Sequence, residues 1–399
     1  MRIRYFTDIR FPLDRANGIQ SMETCYALAQ RGHAITLVVR PDTARPARDP
    51  FAFYGLAPLQ NFSVQNVPVA GPHVLRRTEY LAAALARAVG GGAADIIFTR
   101  DLGLASYLVR IPRSLRPPIV FESHGLAAVS AATLPELLTG AVPGSPRKQR
   151  RLRARDAVVW RTAEGYVAIT RGLAEDLERH FGFRSPGSLA IVPDGVRPMA
   201  QRHFDWRPRP ANPVVGYVGH LYPWKGPQLL LQALTALEHV RAIIVGGHPA
   251  ERDLQDLQHQ AHALGLTSRV TFTGYVERSR IADLLAGMDV LVLPHTSTPI
   301  SERYASPLKL FEYMAAGRPI VASDLASIRE VLDDEAAVLV APGDPATLAA
   351  GIRRTLDDWV SAERRARRAY DLVSDYTWDR RAERLDSLLE RVASEAHIG

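Results

Sequence analysis

The 399-residue sequence contains a single cysteine, Cys25, and so cannot form a disulfide within the chain. Because disulfide frameworks belong to oxidising compartments, we expect this protein in a reducing one. The sequence also lacks an apolar run of about 18 residues, the length that a membrane-spanning helix needs. Its first residues read as a strand without the apolar core of a signal peptide. These absences predict a cytoplasmic protein, at most peripheral on the inner face of a membrane.

Several common functional motifs are absent too. No Gly-x-Gly-x-x-Gly follows a predicted strand, which argues against a dinucleotide-dependent oxidoreductase. The sequence has no Gly-x-x-x-x-Gly-Lys-Ser/Thr phosphate loop and no Asp-x-Asp of metal-dependent transferases. His259 and His262 are neighbours on a predicted helix but have no convincing third ligand, so we predict no structural metal.

Positive charge is concentrated in the first half of the chain. The formal net charge is +7; residues 1–205 hold 27 Lys and Arg against 17 Asp and Glu, and residues 206–399 hold 22 against 25. Six basic residues cluster in 147–155, namely Arg147, Lys148, Arg150, Arg151, Arg153 and Arg155. Such a run is most often a solvated helix face, and the alternative is contact with an anionic membrane surface. No aromatic residue interleaves the run, which argues against nucleic acid.

Short apolar runs alternate with helical stretches, a pattern typical of parallel sheets wrapped by helices. Strands are predicted at 3–7, 34–39, 63–67, 95–99, 119–122, 166–169 and 189–192, and then at 214–218, 242–245, 270–273, 290–293, 320–322 and 337–340. The segment 207–213 contains three prolines, which continue neither helix nor strand. The sequence therefore predicts two doubly wound α/β, Rossmann-like domains, 1–206 and 214–375, joined by the linker 207–213.

Residues 306–319, Ser-Pro-Leu-Lys-Leu-Phe-Glu-Tyr-Met-Ala-Ala-Gly-Arg-Pro, predict a short helix with a start signal and a stop signal. Ser306 suits the N-cap and Pro307 the first helical position, while Gly317 suits a left-handed residue at the end. Lys309 and Glu312, three residues apart, share a face near the helix start. The open amides of that start suit an anion carrying hydroxyls, such as a nucleoside diphosphate. A surface helix with a chance Lys–Glu pair explains this stretch equally well.

The stretch Gly-Tyr-Val-Gly-His-Leu-Tyr-Pro-Trp-Lys-Gly ends a predicted buried strand in a glycine turn. Gly219 would let a ligand approach the backbone, and Lys225 would neutralise a phosphate. Ligands of open α/β sheets bind beyond the carboxyl ends of the strands, where such loops gather. On its own, an ordinary strand–loop–helix turn explains this stretch better.

A third stretch, Phe-Glu-Ser-His-Gly, ends a strand of the first domain. Glu122 and His124 are two residues apart and point the same way if the strand persists. Without further context, a histidine satisfied within its loop is the better explanation.

Together these stretches resemble the retaining glycosyltransferases of family 4, which have the two-domain GT-B architecture. The resemblance extends to Ala-Asn-Gly-Ile-Gln at 16–20, Val-Pro-Asp-Gly-Val at 192–196 and Asp-Val-Leu-Val-Leu-Pro at 289–294. It implies two domains facing across a cleft and a C-terminal helix that crosses back, so that 376–399 packs on the first domain. An apolar stripe supports that crossing: Leu385, Leu388, Leu389 and Val392.

The resemblance also implies an activity. A hexosyl group would pass with retention from a nucleotide-diphosphate sugar, UDP- rather than GDP-linked, to a hydroxyl of a glycan, a lipid-linked molecule or a small molecule. The pathway would be bacterial cell-envelope, exopolysaccharide or glycosylated-metabolite synthesis. No metal, no other cofactor and no nucleic-acid partner are implied.

Site residues follow from the matched motifs. The donor would be bound by Gly18, Gly219, His220, Lys225, Ser306, Leu308, Lys309 and Glu312. Lys225 would hold the diphosphate and Glu312 the ribose hydroxyls. His124 would position the donor sugar and be oriented by Glu122, these two forming the catalytic pair.

Two positions depart from the family pattern. His220 stands where the family has an arginine, and Tyr304 where it has a second glutamate. These departures keep open a GT-B subunit that binds a sugar nucleotide without turnover. A nucleotide-sugar 2-epimerase of the same fold is a further alternative, because it uses the same donor without an acceptor.

Overall fold

The computed structural model describes residues 1–69, 75–90, 94–137, 144–197, 204, 206–247 and 252–398. The chain divides into two compact units. The first unit comprises Met1–Ser130, Ser145–Asp194 and Trp378–Gly399, and the second comprises Ala131–Gly144 and Gly195–Thr377. Among the described residues, no helix combines the length and apolar character that crossing a bilayer requires.

The first unit contains a seven-stranded sheet in which every strand pairs in parallel. Its strands are β1 (Arg2–Arg10), β2 (Ala34–Arg40), β3 (Phe62–Asn66), β4 (Ile96–Thr99), β5 (Ile119–Ser123), β6 (Gly165–Ala168) and β7 (Leu189–Ile191). They lie in the order β3-β2-β1-β4-β5-β6-β7. All seven predicted strands are confirmed, with small shifts at their ends.

Helices connect these strands, as parallel pairing requires. They are α1 (Ala16–Gln30), α2 (Pro50–Tyr54), α3 (Arg76–Gly90), α4 (Leu102–Leu108), α5 (Ala127–Leu137), α6 (Pro146–Thr162) and α7 (Arg171–Phe181). The last residues of α5, 131–137, belong to the second unit. The strands β4, β5 and β6 are fully buried because helices cover both faces of the sheet.

The second unit repeats this arrangement with six parallel strands. They are β8 (Val214–Val218), β9 (Arg241–Val245), β10 (Val270–Gly274), β11 (Val290–Leu293), β12 (Ile320–Ser323) and β13 (Val338–Val340). Their order is β10-β9-β8-β11-β12-β13, so the chain reverses its direction across the sheet between β8 and β11. All six predicted strands are confirmed. Segment 207–213, predicted as the linker, contains neither helix nor strand.

One predicted helix of the second unit is two helices in the structure. They are α8 (Pro227–Leu234), α9 (Asp253–Ala263), α10 (Arg278–Gly287), α11 (Pro299–Arg303), α12 (Leu308–Ala315), α13 (Ala326–Arg329), α14 (Pro345–Asp357) and α15 (Trp359–Leu372). The many charged residues of 353–369 predict a helix over that range from the sequence alone, and a single helix there is wrong. Asp358 leaves the helical conformation (φ −113°, ψ 76°), and its carboxylate accepts a hydrogen bond from Ser361 N at 3.1 Å. This side-chain cap starts a second helix.

The start of α12 also differs from the prediction. Pro307, not Ser306, is the N-cap: it is extended (φ −77°, ψ 120°), and its carbonyl oxygen accepts a hydrogen bond from Leu310 N at 2.8 Å. The helix therefore begins at Leu308, and its N-cap residue Pro307 supplies no side-chain hydrogen bond. The predicted left-handed residue at its end is confirmed, since Gly317 has φ +62°.

The C-terminal helix α16 (Trp378–Ile398) packs on the first unit, as predicted. The apolar stripe buries Leu385, Leu388, Leu389 and Val392. Asp386 adds an ionic contact, because it pairs with Arg31 and lies 2.8 Å from His33 Nε2. Burial of a continuous apolar face fixes the position of the helix on this unit.

Candidate active site

Two strand ends of the second unit bring a glycine, two lysines and a histidine together. Gly219 follows β8 with φ +142°, a conformation that favours glycine. A Cβ at this position would lie 3.2 Å from Lys309 Nζ. Because β8 and β11 flank the reversal of strand order, their carboxyl ends form the usual ligand position of such a sheet.

Lys309, on the first turn of α12, is 7% exposed. Its ammonium donates a hydrogen bond to Tyr217 Oη at 2.9 Å and lies 4.3 Å from the centre of that ring. Burial lowers the pKa of Lys309 well below its ordinary value; the nearby Lys225 lowers it further, and Glu312 opposes the shift. A bound anion would offset the cost of burying the charged ammonium and raise this pKa again.

Lys225 ends a short 3₁₀ turn, Pro223–Lys225, between β8 and α8. The side chain is half-buried over the Trp224 ring, with Nζ 4.7 Å from the ring centre. Burial lowers the pKa of Lys225 to about 8, and no carboxylate contributes to offset it. The two lysines therefore concentrate positive charge in a site where water is largely excluded.

His295 is a residue of this site that the sequence analysis missed. It lies two residues beyond β11, is 1% exposed, and neither ring nitrogen has a hydrogen-bond partner among the described residues. Burial, then Lys309 and Lys225, lower its pKa far below the ordinary value, so the imidazole is neutral. A buried N–H without an acceptor is costly, and a ligand oxygen would satisfy it. Its position after a strand at the reversal of strand order was the available signal.

The other residues of the second unit that were predicted to bind the donor lie around the same strand ends. Glu312, one turn along α12 from Lys309, has a 20% exposed side chain, with Oε1 3.8 Å from Arg278 Nη2. His220 stacks on Tyr222, their ring centres 5.1 Å apart. Ser306 and Leu308, which flank the start of α12, are half-buried.

The first unit holds Glu122 and His124 at the carboxyl end of β5. Glu122 is buried, and its Oε1 lies 2.5 Å from His124 Nε2. Burial and the charge of Arg100 lower the pKa of His124, while Glu122 partly opposes this shift. The imidazole is therefore neutral near pH 7. Because a carboxylate only accepts hydrogen bonds, Nε2 carries the proton and Nδ1 is left as an acceptor.

A pocket of about 210 Å³ adjoins this pair within the first unit. Its polar walls come from Arg100, Glu122, Ser123, His124, Ser130 and Asp156. The carboxylate of Asp156 accepts a hydrogen bond from Ala127 N at 2.9 Å, yet burial raises its pKa to about 7. The sequence analysis missed Asp156 because it directly follows the basic run on α6 and looks like part of a charged surface.

Gly18 lies in the first turn of α1. A Cβ there would come within 2.2 Å of Leu13 O and 2.8 Å of Tyr54 Oη. A side chain at position 18 would therefore clash with the chain that precedes α1. This close packing within the first unit accounts for the glycine.

The basic run on α6 is a surface feature. Arg147, Lys148, Arg150, Arg151 and Arg153 are exposed, whereas Arg155 is half-buried with its guanidinium 5.7 Å from the Tyr107 ring. Tyr107 is 45% exposed and Leu115 is 60% exposed.

Two family models cover most of the chain. One, described as Glycosyltransferase Family 4, matches residues 19–199, and the other, Glycosyl transferases group 1, matches residues 212–358. The chain belongs to glycosyltransferase family 4. The doubly wound sheets of both units and the C-terminal helix are those of its GT-B fold.

Curated proteins similar to this chain include two that are named D-inositol 3-phosphate glycosyltransferase. One, from Xylanimonas cellulosilytica, is 32% identical over 66% of this chain and 64% of its own length, so the match spans just under two thirds of that relative. The other, from Corynebacterium glutamicum, is 26% identical over 95% of this chain and 93% of its own.

Solved structures show the same fold. The crystal structure of Anabaena Alr3699/HepE in complex with UDP covers 98% of this chain and 100% of its own, with a TM-score of 0.74 and 19% identity. At this identity the likeness extends to the GT-B fold alone.

Proposed function

We propose that this glycosyltransferase transfers a hexosyl group, with retention, from a UDP-sugar to a hydroxyl acceptor. The cluster of Lys225, His295 and Lys309 at the carboxyl ends of β8 and β11 carries this proposal. The buried ammonium of Lys309, the half-buried ammonium of Lys225 and an imidazole N–H that has no partner among the described residues form a site for a multiply charged anion. A nucleoside diphosphate has that charge, and Glu312 supplies an acceptor for its ribose hydroxyls.

The same residues explain how the leaving group departs. Negative charge grows on the diphosphate as the bond to the sugar breaks. Lys225, Lys309 and the open amides at the start of α12 stabilise that charge without reorganising, and the neutral His295 donates one hydrogen bond. His220 contributes a further donor beside Gly219.

His124 acts on the sugar rather than on the diphosphate. With its proton held on Nε2 by Glu122, Nδ1 accepts a hydrogen bond from a sugar hydroxyl and positions the ring. Retention requires the acceptor to approach from the side on which the leaving group departs. Positioning of the sugar, rather than a carboxylate nucleophile, is the contribution that this arrangement offers.

The acceptor side of this proposal concerns the first unit. The pocket in the first unit has the size and the polar walls for one hydroxylated ring, and the Xylanimonas and Corynebacterium relatives carry names that specify a cyclitol phosphate. A glycan, a lipid-linked or a small-molecule acceptor therefore fits, in cell-envelope, exopolysaccharide or metabolite glycosylation. The preference for UDP is supported by the crystallised Anabaena protein, which was solved with UDP.

A first test removes the charge of Glu312. Charge-assisted hydrogen bonds contribute about 1.5–3 kcal/mol, so Glu312→Gln should weaken UDP binding roughly 10- to 100-fold without changing the fold. Titration calorimetry measures the affinity, and Glu302→Gln, on the neighbouring helix α11, is the matched control. If UDP affinity stays unchanged in Glu312→Gln, this residue does not contact the ribose.

We also propose that the exposed basic face of α6 contacts an anionic membrane surface. Each basic residue near such a surface contributes about 1 kcal/mol, and the exposed Tyr107, whose ring lies 5.7 Å from the Arg155 guanidinium, offers apolar contact beside it. The protein should pellet with vesicles containing an anionic phospholipid, and less so as salt is raised.

The variant for this test replaces Arg150, Arg151 and Arg153 with Gln and should abolish pelleting. A matched control replaces Arg364, Arg367 and Arg368 of α15, which removes the same charge from the second unit and should leave pelleting intact. Equal pelleting with neutral vesicles would disprove the membrane contact and favour a solvated helix face.

A further inference from the structure

Arg381 is a buried charge on the C-terminal helix. It is 1% exposed, and its guanidinium reaches three elements of the first unit. Nη2 donates to Glu122 Oε2 at 2.6 Å, and Nη1 donates to the carbonyl oxygens of Val192 and Pro193 at 2.7 Å each. Nε donates to Thr24 Oγ1 at 3.1 Å. This geometry leaves the guanidinium little freedom to move.

The other oxygen of Glu122 holds the catalytic histidine. Oε1 accepts hydrogen bonds from His124 Nε2, at 2.5 Å, and from Gln20 Nε2. The side-chain oxygen of Gln20 accepts in turn from Arg100. The Glu122 carboxylate is thus fixed at both oxygens, with Arg381 on one side and His124 on the other.

We propose that Arg381 is a positioning residue for sugar transfer: it holds Glu122 ionised and in place, so that His124 keeps its proton on Nε2 and its acceptor lone pair on Nδ1. The inference rests on the proposed function, because it needs His124 to act on the sugar. Through this contact the last helix of the chain takes part in the reaction without touching the substrate.

The charges around Glu122 support this role. The titratable and charged groups that face it are Tyr5 of β1, Cys25 of α1, Arg100 after β4, His124 after β5, Asp194 after β7 and Arg381 of α16. Burial by itself would raise the pKa of Glu122; Arg381 first, then His124 and Arg100, outweigh it and hold the pKa below its ordinary range. The charge of Arg381 is thus the largest single contribution that favours the ionised carboxylate.

Loss of Arg381 should shift the pKa of the Glu122–His124 pair in a predictable direction. Removing a positive charge beside the Glu122–His124 pair raises the affinity of that pair for a proton. The imidazole then protonates at a higher pH, and Nδ1 becomes a donor instead of an acceptor. A substrate hydroxyl that donates to Nδ1 would lose its partner as the pH falls.

A purely structural role for Arg381 is the competing explanation, since it also ties α16 to the first unit. Asp386 provides a matched control because it lies on the same helix and ties it to Arg31 and His33. Its substitution loosens the same helix but leaves Glu122 and His124 in contact.

The test compares Arg381→Gln, Arg381→Lys and Asp386→Asn in the full-length protein. Ring ¹⁵N NMR follows the titration and tautomer of His124, and donor turnover with UDP-glucose is measured across pH. In Arg381→Gln we expect the apparent pKa of the pair, and the acid limb of kcat, to rise by about one unit or more. At pH 7, kcat should fall at least about tenfold while KM for the donor changes little.

The conservative variant and the control complete the comparison. Arg381→Lys keeps the charge and should recover part of kcat, whereas Asp386→Asn should lower the melting temperature without moving the titration of His124. If Arg381→Gln does not fold, Arg381→Lys carries the test, with an expected loss in kcat of about threefold or more relative to Asp386→Asn.

The outcomes separate this inference from the proposed function. An unchanged His124 titration with unchanged kcat in the Arg381 variants overturns the positioning role, even if the wild type transfers sugar. A wild type that turns over no nucleotide sugar overturns the proposed function, while the NMR titration still reports whether Arg381 governs His124. Equal effects of Arg381→Lys and Asp386→Asn on both readouts would make Arg381 a structural anchor only.

Discussion

His124→Ala should lower kcat by roughly 100-fold or more while UDP binds as it does to the wild type. His124 belongs to the first unit, whereas the lysines and Glu312 that we assign to the nucleotide belong to the second. Loss of the imidazole removes the group that positions the sugar, and a misplaced reacting group costs about two orders of magnitude in rate. The nucleotide keeps all of its own contacts.

Donor turnover and UDP calorimetry, measured on the same preparation, test this expectation. His33→Ala is a suitable control, because His33 is a second buried histidine of the first unit paired with a carboxylate, Asp386. A kcat within about threefold of the wild type, or a parallel loss of UDP binding, would show that His124 is an ordinary structural histidine.

Lys309→Met should have the largest effect on kcat/KM. The substitution keeps most of the volume but removes a buried ammonium from the diphosphate site. Removal of one preorganised donor to a developing negative charge typically costs 10²- to 10³-fold in rate, and we expect a loss of about that size in kcat/KM. The affinity for UDP should fall as well, since the charge also acts in the bound ground state.

The chain offers a matched control for this prediction. It contains three lysines, and the third, Lys148, is exposed on α6. Lys148→Met removes the same charge and should leave kcat/KM unchanged. If Lys309→Met retains kcat/KM within about threefold, Lys309 does not hold the diphosphate.

The lowered lysine pKa values add a pH dependence with a defined sign. In the free protein Lys225 loses its proton near pH 8. A bound diphosphate favours the charged ammonium and raises that pKa, so binding takes up a proton, and UDP affinity should fall as the pH rises above about 8. Calorimetry in buffers of different ionisation enthalpy measures this uptake directly, and Lys225→Met should reduce it.

The sequence predicted the fold well for a physical reason. Strands of a parallel sheet covered on both faces are continuous apolar runs, so β8 and β11 could be located to the residue. The break between α14 and α15 was missed because it depends on one side chain, Asp358, that caps the second helix. A charged residue inside a charged helix gives no such signal by itself.

Some residues of the candidate site could likewise be predicted from local sequence patterns, and others could not. Glu122 and His124 could be paired because they are two residues apart on one strand end. Arg381 and Glu122 are 259 positions apart in the sequence, and no local sequence pattern predicts a contact between residues so far apart. The sequence carries one further signal: its positive charge is almost entirely arginine, and two of its three lysines, Lys225 and Lys309, are those that we propose to hold the diphosphate. Lysine is the compact phosphate-binding cation whose pKa shifts on burial.

The stereochemistry of donor turnover tests the central claim most directly. The protein is incubated with UDP-glucose and, in parallel, with GDP- and ADP-glucose, and ¹H NMR records the anomeric signals of the sugar as it is released. A retaining transferase releases the α-anomer first, slowly without an acceptor, and the UDP-sugar should react fastest. Initial release of the β-anomer would contradict retention, accumulation of an isomerised donor would indicate an epimerase, and UDP binding without turnover of any donor would show a subunit that does not catalyse transfer.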